Sequence, residues 1–73
     1  MKNIKIKYSK NQKAMETYYN VEHIPIYTIT RDKIGEYILY QINSMGNLTK
    51  MKTGQTPVKL DEYATEQMIK GVS

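Results

Sequence analysis

A single small α+β domain, with helices on one face of a three-stranded antiparallel meander, is the fold class this 73-residue sequence predicts. Three observations carry that expectation. The centre of the chain alternates short runs of β-branched and tyrosine residues with the phrases Asp32-Lys33-Ile34-Gly35 and Asn43-Ser44-Met45-Gly46. The last fifteen or so residues carry helix-start and helix-stop signals around an apolar stripe. The length suits one domain, spanning residues 1–73, and a chain this short buries only about 60% of the surface its unfolded form exposes.

The first segment, Asn3 to Tyr8, places Ile4, Ile6 and Tyr8 on one side and Lys5 and Lys7 on the other. That period of two predicts an extra edge strand or a basic arm, with lysine discouraging unwanted pairing on the outer side. Ser9 followed by Gln12 has capping-box spacing, and Ala14, Met15, Tyr18 and Tyr19 then fall on one helical side. A short helix over 10–19 is expected, stopped at Asn20 and too short to hold without packing.

Pro25 fits the start of a strand, so the meander is expected over Ile24–Thr30, Glu36–Ile42 and Asn47–Lys52. Each connecting phrase has an Asx residue first and glycine fourth, which suits a type I turn with the glycine left-handed. The two turns then lie at opposite ends of the middle strand, too far apart to grip one small ligand.

Register decides the faces, because a slip of one residue exchanges them. Four-residue loops group Tyr27, Ile29, Ile38, Tyr40, Ile42 and Met51 on one side, and Ile24, Ile26, Thr28, Tyr37, Leu39, Gln41, Lys50 and Lys52 on the other. Three-residue loops would set Lys50 and Lys52 beside Ile38 and Tyr40. The four-residue register is the expectation, since it keeps lysine out of the densest apolar row. In the final helix, Thr56 caps, Pro57 takes the first position, and Leu60, Tyr63, Ala64, Met68 and Ile69 form the buried stripe.

The chemistry is one of absences. There is no cysteine, so disulfides and thiolate metal sites are excluded, and no metal or cofactor is expected. His23 is the single histidine and has no converging partners in sequence. Asp61 and Glu62 are explained by the positive end of the last helix. Nucleophile elbows, phosphate-binding glycine loops and dinucleotide fingerprints are missing, and the expectation is a protein that is not an enzyme. No stretch has the roughly 20 apolar residues that span a bilayer, and the N-terminal lysines precede no apolar run of a secretory signal. Cytoplasm is the default compartment, with no membrane partner.

Two functions compete. The net charge is +4 and uneven: Lys2, Lys5, Lys7, Lys10 and Lys13 precede the first acid, Glu16. With Lys50 and Lys52 they suggest a nonspecific nucleic-acid binder, although ten of the eleven basic residues are lysine, which lacks the bidentate geometry of arginine. The favoured expectation is a small regulatory or inhibitory protein that docks on another protein, a host enzyme for example, or on a second copy of itself. Its surface would be the sheet face left open by the helices, formed by Ile26, Tyr37, Leu39, Gln41, Lys50 and Lys52. Richness in lysine, asparagine, isoleucine and tyrosine suggests an AT-rich bacterial, phage or mobile-element genome.

Overall fold

A computed structural model describes residues 4–71. Its elements are β1 (Lys13–Tyr19), β2 (Pro25–Arg31), β3 (Tyr37–Ile42), β4 (Leu48–Gly54) and α1 (Pro57–Gly71). The strands form one antiparallel sheet in the order β1-β2-β3-β4, so the α+β expectation and the meander hold.

Two elements differ from expectation. Residues 13–19 form β1 rather than the second half of a short N-terminal helix, which makes the sheet four-stranded. The capping-box contacts do form: Ser9 N–H donates to Gln12 Oε1 (2.9 Å) and Gln12 N–H to the Ser9 carbonyl (3.2 Å). They close a single turn, after which Thr17, Tyr18 and Tyr19, all strand-favouring residues, gain a full ladder against β2 that a short helix could not match. The proposed first strand also fails as a strand. Asn3 lies outside the described residues, and Ile4 to Tyr8 pair in no ladder. Their alternation is nonetheless present, with Ile4, Ile6 and Tyr8 half-buried and Lys5 and Lys7 exposed.

All three hairpins share one turn. In each, the Asx side-chain oxygen accepts two backbone N–H groups: Asn20 from Glu22 and Ile24, Asp32 from Ile34 and Glu36, Asn43 from Met45 and Asn47. The Asx carbonyl accepts from the residue three later, and the Asx N–H donates to the carbonyl four later. The fourth position is left-handed each time: His23 (φ 62°), Gly35 (φ 87°) and Gly46 (φ 85°). This is the three-residue loop built on a type I turn and a left-handed residue.

The faces expected from four-residue loops are therefore corrected. The closing pairs are Asp32 with Glu36 and Asn43 with Asn47, which sets Ile29 opposite Leu39 and Thr28 opposite Tyr40. The objection to this register, two lysines in an apolar row, is removed by a bulge in β4. Leu39 pairs with Lys52 but Tyr40 pairs with Lys50, so Met51 is an extra residue and the two lysines fall on opposite faces. Both edge strands carry such irregularities, at Met15 in β1 and Met51 in β4, which discourage edge-to-edge pairing.

Helix α1 lies across one face, where Ile29, Leu39, Leu60 and Ala64 are completely buried and Tyr18, Tyr27, Tyr37 and Tyr63 pack around them. Burying each large aliphatic side chain here contributes about 1.5–3 kcal/mol. Leu39 and Tyr37, expected on an open face, are thus in or against this core. Ile69, expected in the buried stripe, is 69% exposed. The Tyr18 hydroxyl donates to Asp61 Oδ1 and ties β1 to the helix. Among the described residues, no helix is long and apolar enough to cross a membrane.

Candidate functional site

The second face of the sheet is covered by the chain's own N-terminal arm. Tyr8 Oη lies 2.9 Å from Thr28 Oγ1, Gln12 Nε2 donates to Tyr40 Oη (2.7 Å), and Lys7 N–H donates to the Gly46 carbonyl (2.9 Å). Gly46 is needed twice. Its φ is left-handed, and a Cβ at this position would collide with the Lys5 backbone carbonyl. Thr28 and Thr30 are completely buried on this side. Thr28 Oγ1 bonds the Glu16 carbonyl (3.1 Å) as well as Tyr8, whereas Thr30 Oγ1 has no partner among the described residues.

Seating Ile4, Ile6 and Tyr8 inward turns Lys5 and Lys7 outward, and Lys10 follows in the exposed turn. The Met51 bulge adds Lys50, which stands opposite Tyr40 on this same side. Most of the acids are elsewhere. Glu16 pairs with Ile29 and so belongs to the helix face; Glu22 is in the β1–β2 turn; Asp32 and Glu36 close the β2–β3 turn; Asp61, Glu62 and Glu66 are on α1. Among the described residues, the arm side of the sheet therefore carries Lys5, Lys7, Lys10 and Lys50, with the Asp32–Glu36 pair, which follows Arg31–Tyr37 in the alternation, at its β2–β3 end.

The remaining sequence candidates are dispersed. Lys2 lies outside the described residues. Lys13 pairs with Arg31, so β1 turns it toward the helix face. There Arg31 stacks over Tyr37 (5.7 Å to the ring centroid) and Lys52 over Tyr63 (5.0 Å). Tyr37, Leu39, Gln41 and Lys52 share the helix-covered face, Lys50 is on the arm side, and Ile26 is the extra residue of a bulge between Tyr27 and Pro25. Among the described residues, the open sheet face expected from sequence is not formed, because the helix packs on one side and the arm on the other.

An apolar cleft of about 510 Å³ does open at the end of the sheet, between the β1–β2 turn and the last turns of α1. Tyr19, Val21, Ile26, Ile42 and Met68 line it, and Val21 is 91% exposed. No group of three or more His, Asp or Glu side chains among the described residues is placed to hold a metal ion. Burial, the hydrogen bond to Asp61 and the nearby carboxylates of Glu16 and Asp61 push the Tyr18 phenol well above its usual value of 10.0. Its bond to α1 makes this a structural proton rather than one in an accessible site.

Sequence reasoning missed Tyr8 and Tyr40 as neighbours. Both gather at Thr28, one through its hydroxyl and the other as the cross-strand partner. Only the correct register brings them together, and the register signal was the repeated Asx turn. Comparison with known proteins finds no matching family model, no matching curated protein and no matching solved structure.

Proposed function

We propose that the protein acts by binding rather than catalysis, and that its ligand is a nucleic acid held through the phosphate backbone by Lys5, Lys7, Lys10 and Lys50. The observation that carries this reading is the uneven placement of charge: four exposed lysines on the arm side against the Asp32–Glu36 pair at the β2–β3 turn, with the other carboxylates on the helix, in the β1–β2 turn and on the opposite face of β1. A predominantly basic surface raises the local concentration of a polyanion and accelerates encounter. Lysine suits this role as a point charge on a flexible stem, and the lack of arginine in the group argues against base-specific reading.

Affinity should fall steeply with salt, with a logarithmic slope of about −2 to −3 on a single strand if three or four lysines each neutralise a phosphate. Fluorescence anisotropy of a labelled oligonucleotide at increasing salt measures that slope. The double variant Lys5→Glu/Lys7→Glu should abolish binding while leaving the circular dichroism spectrum unchanged. Salt-independent binding, or no loss in the double variant, would count against the reading.

A second reading, a small regulator docking on another protein, is favoured by the apolar cleft and by Val21 beside it. A photo-crosslinking residue at position 21 tests it. The reading requires one discrete crosslinked protein in a bacterial lysate that persists after nuclease treatment and disappears on Met68→Asp.

A further inference from the structure

We infer that the nucleic acid taken by the basic layer is single-stranded, with its bases stacking on Tyr8 and Tyr40 while the surrounding lysines hold its phosphates. This rests on the nucleic-acid reading above and specifies its ligand.

The two tyrosines are aromatic side chains set among these lysines, Tyr40 by the register of β3 and Tyr8 by the seating of the arm. Tyr40 has Thr28 as its partner on one side and Lys50 on the other. Tyr8 reaches the same Thr28 through its hydroxyl, from an arm segment that also carries Lys5, Lys7 and Lys10. Both hydroxyls are anchored within the protein, Tyr8 on Thr28 and Tyr40 on Gln12, so the rings are fixed before a ligand arrives. Both residues are half-buried, so neither is sealed from solvent. A pair of pre-positioned rings bordered by cations is the arrangement that sequence-tolerant single-strand binding uses, each stacked base contributing about 1–3 kcal/mol.

The same side is poorly suited to a duplex. Reading a major groove takes a helix or a protruding ribbon, and α1, the helix among the described residues, lies on the other face with Asp61, Glu62 and Glu66. Stacking on Tyr8 and Tyr40 also requires unpaired bases, which a duplex keeps in its own stack. The arm supplies a linear track instead: Lys5 and Lys7 are both exposed, two residues apart, so successive cations lie along it.

Anisotropy titrations with an oligonucleotide and with its duplex, at one fixed low salt, test the assignment. The wild-type protein should bind the single strand about tenfold more tightly than the duplex, in keeping with one stacked base. Tyr40→Phe should retain that affinity, because the ring remains. Tyr40→Leu, and independently Tyr8→Leu, should lower it about tenfold with circular dichroism unchanged. If either leucine variant fails to fold, the other variant and the wild-type preference decide. Equal affinity for strand and duplex, with Lys5→Glu/Lys7→Glu still abolishing both, would overturn the single-strand assignment and leave the nucleic-acid reading intact. Absence of binding to either would overturn both.

Discussion

His23 occupies in its turn the position that Gly35 occupies in the next one along the chain. Both follow an Asx residue by three, both donate their N–H to its carbonyl, and both are left-handed, at φ 62° and 87°. A side chain bearing a Cβ is strained there, and the His23 side chain is exposed.

His23→Gly should therefore stabilise the protein. Relief of about 1–2 kcal/mol of left-handed strain is partly offset by about 0.4–1 kcal/mol of extra unfolded-state entropy, leaving about 0.5–1 kcal/mol. Thermal melting should show a rise of about 3–6 °C for a domain of this size. A lower melting temperature would mean that the imidazole makes a stabilising contact.

Gly35→Ala and Gly46→Ala separate strain from arm seating. At Gly35 the nearest group to an added Cβ is the flexible end of Arg31, 3.6 Å away, so only left-handed strain of about 1–2 kcal/mol applies. At Gly46 the added methyl meets the Lys5 backbone, so Gly46→Ala should cost more and also release the arm. Urea denaturation gives the first difference. Hydrogen exchange at the Lys7 amide, which bonds the Gly46 carbonyl, gives the second.

Thr30→Val should be stabilising by about 1 kcal/mol, because an unpaired buried hydroxyl costs about 1–3 kcal/mol and a methyl of similar size fills its place. The denaturation midpoint should rise with the slope unchanged. A fall would reveal a polar partner for Thr30.

Tyr18→Phe should change the alkaline limb of stability. The folded state holds the Tyr18 proton above the usual phenol value of 10.0, where the unfolded chain loses it. Tyr18 therefore contributes stability that is complete below pH 10 and is lost as pH rises beyond it. Denaturation at pH 9, 10 and 11 should show wild type losing stability more steeply than Tyr18→Phe. At neutral pH the variant should lose about 1 kcal/mol with its bond to the Asp61 carboxylate.

The sequence revealed the last helix because Thr56, Pro57, Lys70 and the Leu60–Ala64 stripe all agree. Two of the three turns were equally plain from Asx and glycine. The first turn was hidden because His23 stands where glycine is diagnostic, and β1 was hidden because Ser9 and Gln12 form a capping contact that closes only one turn. The register was misread for a physical reason: strict alternation assumes that no residue is inserted, and Met51 is one. The outward lysines at 5 and 7 could be read locally. The face on which the arm rests could not, since it depends on Gly46, forty residues away, and on partners at Thr28 and Tyr40.

The inserted residue in β4 makes charge placement a question of parity. Lys50 and Lys52 are two apart, yet one stands beside Tyr40 on the arm side and the other stacks on Tyr63 beneath the helix. Deleting Met51 would leave net charge and nearly all of the composition as they are, while forcing one lysine to change sides. The polarity of this small sheet thus depends on strand length as much as on residue type. A single-codon insertion or deletion at this edge is a route by which a descendant of this chain could exchange the chemistry of its two faces without acquiring a single new charge.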